Sequence, residues 1–142
     1  MLVRLLYASR AKTPLATITT DAILEQSRAN NRSKGVTGIL CFSDTLFIQV
    51  LEGGRDTVCE LFNKIVSDER HEHVRLLSFE EIQERRFGSW GMGQVNIAKI
   101  NPSVLLKYSE TPELNPFIFS GQTTMALLEE LTAHASVVNR LN

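Results

Sequence analysis

The sequence lacks the features that would place the protein in a membrane, outside the cell or on nucleic acid. Its 142 residues contain no apolar run of membrane-spanning length. The opening stretch MLVRLLYASR has too short an apolar run, and no cleavage site, for a secretory signal. Fifteen Lys and Arg against sixteen Asp and Glu leave a net charge of −1, so neither nucleic acid nor an anionic membrane is the expected partner. The two cysteines, Cys41 and Cys59, lack metal-ligand spacing, which indicates reduced thiols in a cytoplasmic protein.

The motifs of the common enzyme classes are absent as well. The chain has no P-loop, no G-x-G-x-x-G, no G-x-S-x-G and no HExxH. His71 and His73 follow a predicted helix two residues apart, where a solvated loop pair is more typical than a metal site. The acidic residues are scattered, and no nucleophile stands beside a candidate base. We therefore expect a protein that is not an enzyme and holds no metal.

The apolar pattern predicts one domain of mixed α+β class. Its elements follow the order strand, helix, strand, strand, helix, strand, strand. This is the ferredoxin-like βαββαββ order, with two helices on one face of an antiparallel sheet and one added strand. The predicted strands are residues 2–9, VTGILCF, LFIQVLEG, 74–82 and 90–98, and the predicted helices begin after Thr19 or Thr20 and after the Gly53-Gly54 pair.

The chain changes character after residue 98. Pro102, Pro112 and Pro116 interrupt the next stretch, which therefore cannot form one regular helix. The run GQTTMALLEELTAHASVVNRL predicts a final amphipathic helix. Its apolar stripe consists of Met125, Leu128, Leu131 and Val138. We expect residues 99–142 to form a helical extension that packs on the free sheet face, on a partner, or on both.

A glutamine stands inside a strand that is otherwise apolar. Burying the amide of Gln49 costs free energy unless it finds hydrogen-bond partners. The first and third strands of a ferredoxin-like sheet are neighbours, so Tyr7 and Gln49 can lie side by side. Residue alternation is consistent with both facing the helices. Trp90 and Met92 have the same parity on the last strand, which predicts that one face carries both.

Each of these residues also has an ordinary structural explanation. A strand tyrosine commonly packs its ring and exposes its hydroxyl. Asn30 and Asn31 can simply cap the end of the first helix, on the rim of the same region. A Trp-x-Met sequence can fill a core, and a glutamine can satisfy a sheet edge. Taken singly, none of them identifies a function.

Taken together, the polar residues and their flanking motifs resemble the BLUF family of FAD-binding blue-light sensors. The matching stretches are RLLYAS with Tyr7, NNRSKGVTGILCF with Asn31, FIQVLEG with Gln49, DERH, and RRFGSWGM with Trp90 and Met92. The resemblance covers residues 1–98, which are then the sensor domain. The remainder resembles the C-terminal helices of short, stand-alone PixD-like members, where output and oligomer contacts would lie. One departure is Gly91, where the family usually has serine, and it bears on the last strand rather than on flavin binding.

The resemblance also implies a mechanism. The flavin ring would sit between the two helices, with FAD as cofactor and FMN or riboflavin possible in the isolated protein. Light would drive electron and proton transfer from Tyr7 to the flavin, after which the Gln49 amide rearranges and Trp90 or Met92 relays the change. Output would pass to a response-regulator-type or transcription-factor-type protein from a homo-oligomer in the cytoplasm. The flavin-binding residues implied in this way are Tyr7, Ile23, Asn30, Asn31, Gln49, Lys64, Ile65, Asp68 and His71.

Two other functions stay open at this level. A ferredoxin-like enzyme of acylphosphatase type would need an arginine in a phosphate-cradling loop after the first strand. The stretch ASRAKTPLA offers Arg10 there but no glycine-rich cradle. A light-independent protein-interaction module is the other possibility, and in that case Tyr7 and Gln49 would merely satisfy each other's hydrogen-bonding groups.

Overall fold

A computed structural model describes residues 1–12, 31–134 and 138–140. The strands in these segments are β1 (Leu2–Ala11), β2 (Thr37–Phe42), β3 (Leu46–Gly54), β4 (His71–Ile82), β5 (Trp90–Asn96) and β6 (Val138–Arg140). The helices are α1 (Arg55–Ser67), α2 (Pro102–Leu106) and α3 (Gly121–His134), with a 3-10 turn at Ile97–Lys99. Residues 31–34 are also helical, and the rest of the predicted first helix lies outside the described residues. None of the helices in the described segments is long and apolar enough to cross a membrane.

The strands form one sheet in the order β4-β1-β3-β2-β5-β6. The central order confirms the ferredoxin-like α+β prediction. The added strand β5, whose direction the sequence did not predict, runs parallel to β2, so the sheet is mixed. A short connection makes β5 antiparallel to β4, and β4 itself runs opposite to β2. When β5 then adds at the edge beside β2, the two strands must point the same way.

The two faces of the sheet carry separate apolar clusters. Alternating residues of β1 and β3, such as Leu5 and Leu51, pack with Val58 of α1 on one face. Their neighbours, such as Leu6 and Val50, pack on the other face against α2 and α3. The C-terminal extension therefore covers the sheet face opposite α1, one of the placements that the sequence left open.

The last predicted helix is shorter than its pattern suggested. Met125, Leu128 and Leu131 are buried in one cluster, which confirms that part of the stripe. The extension of the stripe to Val138 is wrong, because α3 ends at His134 and Val138 lies in β6, paired with β5. Valine-rich sequence favours strands, and the edge of β5 provides a partner for one.

A β-bulge separates the side chains of Trp90 and Met92. Gly38 pairs with Gly91 and Ile39 pairs with Gly93, so Met92 is the extra residue of β5, with φ at +118°. The extra residue reverses the alternation of side chains. Met92 joins the α1-side cluster and Trp90 packs against the opposite one. The prediction that one face carries both is therefore wrong.

Gly38 is required where β2 lies against β3. Its φ is +156°, and a Cβ there would lie inside contact distance of the Val50 carbonyl oxygen. The backbone atoms on both sides belong to the sheet and cannot move independently. A side chain at this position would therefore push β2 and β3 apart.

We expect Gly38→Ala to lower the free energy of unfolding by roughly 2 kcal/mol or more, from backbone strain and overpacking. Gly54→Ala is the matched control, because Gly54 has φ −62° and its added Cβ would lie 3.9 Å from Thr57 Oγ1, an ordinary contact. The control should cost less than about 1 kcal/mol. Urea unfolding followed by circular dichroism measures both, and equal losses would contradict the assignment.

Candidate functional site

Tyr7 and Gln49 lie side by side in the middle of the sheet. They are directly paired across β1 and β3, as the sequence predicted. The Tyr7 hydroxyl donates to Gln49 Oε1 over 2.5 Å, and the two residues are only 1% and 5% exposed. The buried glutamine amide thus has a protein partner on its oxygen side.

The environment of Tyr7 keeps its hydroxyl protonated. Burial raises the pKa of the phenol far above its usual value, and the negative charge of Asp68 adds to the effect. The Tyr7 ring lies 5.6 Å from the ring of Phe62, centre to centre. At ordinary pH Tyr7 is therefore a neutral hydrogen-bond donor, and the side-chain oxygen of Gln49 is its acceptor.

The nitrogen of the Gln49 amide faces Met92. Gln49 Nε2 donates to Met92 Sδ over 3.3 Å, and Met92 is fully buried. A thioether sulfur is a weak acceptor, whereas an amide nitrogen carries two hydrogens. Gln49 therefore retains donor capacity that a stronger acceptor could use.

The bulge on β5 decides which predicted relay residue touches this pair. It directs Met92 toward Gln49, while Trp90 packs against the cluster on the other face. The sequence could not distinguish the two residues because their separation of two implied a shared face.

The rim of the site is partly defined. Asn31 is 2% exposed within the helical residues 31–34, and its backbone carbonyl accepts from the amide of Val36 over 2.9 Å. Ile65 is half-buried against the α1-side cluster. Ile23 and Asn30, two of the flavin-binding residues that the resemblance implies, lie outside the described residues.

Lys64, Asp68 and His71, which the resemblance implies at the mouth of the flavin site, differ in their surroundings. Lys64 is exposed on α1. Asp68 accepts from Arg70 Nε over 2.9 Å, and this arginine lowers the pKa of the carboxyl to about 2. The carboxylate is therefore charged at any ordinary pH.

The sequence predicted a solvated loop at His71. In the structure, His71 is instead the first residue of β4. Its ring is half-buried, 4.6 Å from the ring of Phe47, centre to centre. Its Nδ1 shares a 2.7 Å hydrogen bond with Ser9 Oγ. The sequence reasoning missed Ser9, although it has the parity of Tyr7 on β1. His73, by contrast, is exposed.

The donor set suits an organic ring with polar edges rather than a metal ion. No group of three or more His, Cys, Asp and Glu side chains in the described segments could hold a metal. The α1-side face of the sheet is apolar around Tyr7, with the spare amide hydrogen of Gln49 at its centre. The polar edge of a flavin ring carries carbonyl and ring-nitrogen acceptors that such a donor fits.

Comparison with known proteins agrees with this chemistry. A family model described as "BLUF: Sensors of blue-light using FAD" matches residues 2–93. The photoactivated adenylate cyclase subunit alpha of Euglena gracilis is 36% identical over 88 residues, 62% of this chain and 9% of the relative. The blue light- and temperature-regulated antirepressor BluF of Escherichia coli (strain K12) is 32% identical over 92 residues, 65% of this chain and 23% of that protein. The chain spans about a tenth of the length of the cyclase relatives.

Solved structures extend the likeness to most of the chain. The photo-activated state of BlsA superposes with a TM-score of 0.82 at 33% identity, covering 92% of this chain and 94% of that one. The dark-state structure of BlrB, described as a BLUF protein, gives a TM-score of 0.73 at 34% identity over 95% and 97% of the two chains. The family match, these neighbours and the buried Tyr7–Gln49 pair lead to one conclusion: the chain belongs to the BLUF family of blue-light sensors that use FAD.

Proposed function

We propose that this chain is a blue-light photoreceptor whose switch is the Tyr7–Gln49 pair. The observation that carries the proposal is the 2.5 Å hydrogen bond between these two buried side chains, continued by the contact of Gln49 with Met92. The pair lies on the α1-side face of the sheet. We propose that FAD, or FMN or riboflavin in some preparations, binds there next to Gln49.

Several residues are proposed to hold the flavin. Gln49 Nε2 and the buried Asn31 would serve its polar edge, and half-buried Ile65 one ring face. The charges of exposed Lys64 and of Asp68 support a role for the mouth of the site in holding the ribityl-phosphate side of the cofactor. The remaining proposed contacts are Tyr7, Ile23, Asn30, Lys64, Asp68 and His71.

The chain's own groups can carry the switching step. Bound flavin supplies light absorption and an acceptor for one electron. A tyrosine that loses an electron becomes a strong acid, and Tyr7 Oη has Gln49 Oε1 in place to take its proton. The amide can then rotate, which exchanges the groups that face Tyr7 and Met92, or tautomerise, which moves a hydrogen from its nitrogen to its oxygen. Desolvation keeps water from competing for these hydrogen bonds.

The output is proposed to leave through β5. Residues 1–98 would form the sensor domain and residues 99–142 the output and oligomer surface. Because β5 carries Met92 and runs into the C-terminal extension, a change at Gln49 can reach α2 and α3. The proposed recipient is a protein of response-regulator or transcription-factor type, bound by a homo-oligomer. We propose no enzymatic reaction for this chain, in keeping with its lack of catalytic motifs.

The central test is spectroscopic. We expect the purified protein to be yellow and to show a reversible red shift of its flavin absorption under blue light. Tyr7→Phe and Gln49→Leu should each bind flavin yet lose the red shift, because each removes one side of the hydrogen bond. Tyr108→Phe is the matched control, since its hydroxyl binds Glu130 on the opposite side of the sheet. A protein that stays colourless after FAD reconstitution, or variants that keep the full shift, would refute the proposal.

The contact of Met92 with Gln49 gives a second prediction. Met92→Leu keeps the volume but removes the sulfur acceptor, so the dark recovery rate should change about two- to fivefold, the equivalent of roughly 0.5–1 kcal/mol. Met125→Leu makes the same change in the opposite cluster and should leave recovery unaltered. Recovery is followed by absorbance after a blue-light pulse. Indistinguishable rates in the two variants would remove Met92 from the switch.

His71 gives a prediction for pH. Burial lowers the pKa of the His71 ring, against the raising effect of Asp68 and with the help of Arg70. The folded protein thus resists protonation of this ring, so its contribution to stability is complete above about pH 6.5 and is lost as the pH falls through the folded pKa. His71→Gln should flatten the fall in stability between pH 7 and 5, and His73→Gln, on the exposed neighbour, should not. Urea unfolding at each pH measures the free energy of unfolding. If this free energy depends on pH in the same way in His71→Gln and in the wild type, the role assigned to His71 is contradicted.

A further inference from the structure

Two charged residues stand in the apolar strands on the face opposite Tyr7. Arg4 of β1 and Glu52 of β3 are 3% and 0% exposed. Arg4 Nε donates to Glu52 Oε2 over 2.7 Å, and Arg4 Nη1 donates to Glu80 Oε1 over 2.8 Å. Glu52 lies three residues after Gln49 on the same strand. The proposed switch itself makes no use of either charge.

The Glu52 carboxylate holds the segment that precedes β5. Its Oε2 accepts from the backbone amide of Arg86 over 3.0 Å, and its Oε1 accepts from that of Phe87 over 2.7 Å. Arg85 adds two hydrogen bonds. Its Nη1 donates to the backbone carbonyl of Glu52 over 3.2 Å and to Thr37 Oγ1 over 2.8 Å. Residues 85–87 are therefore fixed to β3 and β2 by directional hydrogen bonds.

This fixed segment determines where β5 begins. Phe87 is 1% exposed in the cluster under α3, and its carbonyl accepts from the amide of Trp90 over 3.2 Å. Two residues further along, Met92 meets Gln49. β3 thus contacts this part of the chain at two points. Glu52 binds the backbone of residues 86 and 87 before β5, and Gln49 contacts Met92 at the bulge.

The same segment also reaches the C-terminal helix. Arg86 Nη1 donates to Glu129 Oε1 of α3 over 2.5 Å at the surface.

An apolar pair in place of Arg4 and Glu52 would avoid the cost of burying charge. Only a buried acceptor, however, can hold two backbone N–H groups in a fixed direction.

We propose that Glu52 is a positioning residue for the light response. Its carboxylate, oriented by Arg4, sets the position of residues 85–87 and hence the register at which Met92 faces Gln49. The light-dependent part of this inference rests on the proposed photoreceptor function. The positioning part does not, because it concerns hydrogen bonds that exist without illumination.

The test compares Glu52→Gln with Glu80→Gln in the flavin-loaded protein. Glu52→Gln replaces one of the two acceptor oxygens with a donor that faces backbone N–H groups. Glu80→Gln alters the other partner of Arg4 and leaves the ties to residues 86 and 87 intact. We expect Glu52→Gln to shift the NMR signal of the Met92 methyl group and to change dark recovery at least fivefold, while Glu80→Gln changes neither. A loss of stability in Glu52→Gln without either spectroscopic change would overturn the proposal.

Hydrogen exchange of the wild-type protein decides the matter if Glu52→Gln does not fold. The amides of Arg86 and Phe87 should exchange as slowly in the dark as those of the paired residues of β5. Exchange at the rate of an open loop would overturn the proposal. A wild-type protein without a red shift would refute the photoreceptor function alone, since the exchange rates and the methyl signal need no light.

Discussion

The hydrogen bond between Tyr7 and Gln49 depends on the register of β1 against β3. A slip of one residue would turn one of the two side chains to the opposite face of the sheet. The register is supported by apolar neighbours on both faces and, three residues away on each strand, by the buried pair of Arg4 and Glu52. Apolar packing alone tolerates small shifts, whereas the ion pair joins the two strands at one fixed point. Charge on one face of the sheet thereby stabilises the geometry of the neutral pair on the other.

β5 places one of the two predicted relay residues on each face of the sheet. Its bulge places Met92 on the α1 side beside Gln49 and leaves Trp90 on the side of α3. In a regular strand, Trp90 and Met92 would both face the same apolar cluster, and the other cluster would contact neither of them. Because packed cores do not deform continuously, a shift of Met92 must be accommodated by the bulge or passed along the strand. β5 therefore connects the two apolar clusters through the side chains of Met92 and Trp90 rather than through a loop.

The sequence predicted the parts of this arrangement that follow simple periodicity. Alternation in β1 and β3 placed Tyr7 beside Gln49, and the helical period placed Leu128 and Leu131 in one buried stripe. It failed where one residue interrupts the period, as the bulge at Met92 does. It failed again at Val138, where pairing with β5 outweighs a pattern that also fits a helix.

The departure of this chain from its family falls on the bulge. Gly91, where serine is usual, pairs with Gly38 across β2 and β5, directly before the positive φ of Met92. Neither partner carries a Cβ, so neither can pack against the other strand and hold the bulge in place. Glycine also leaves the backbone of residue 91 with more accessible conformations than serine would. The position of Met92 therefore depends less on local side chains and more on the segment that enters β5. That segment is the one whose backbone amides, at Arg86 and Phe87, donate to the Glu52 carboxylate.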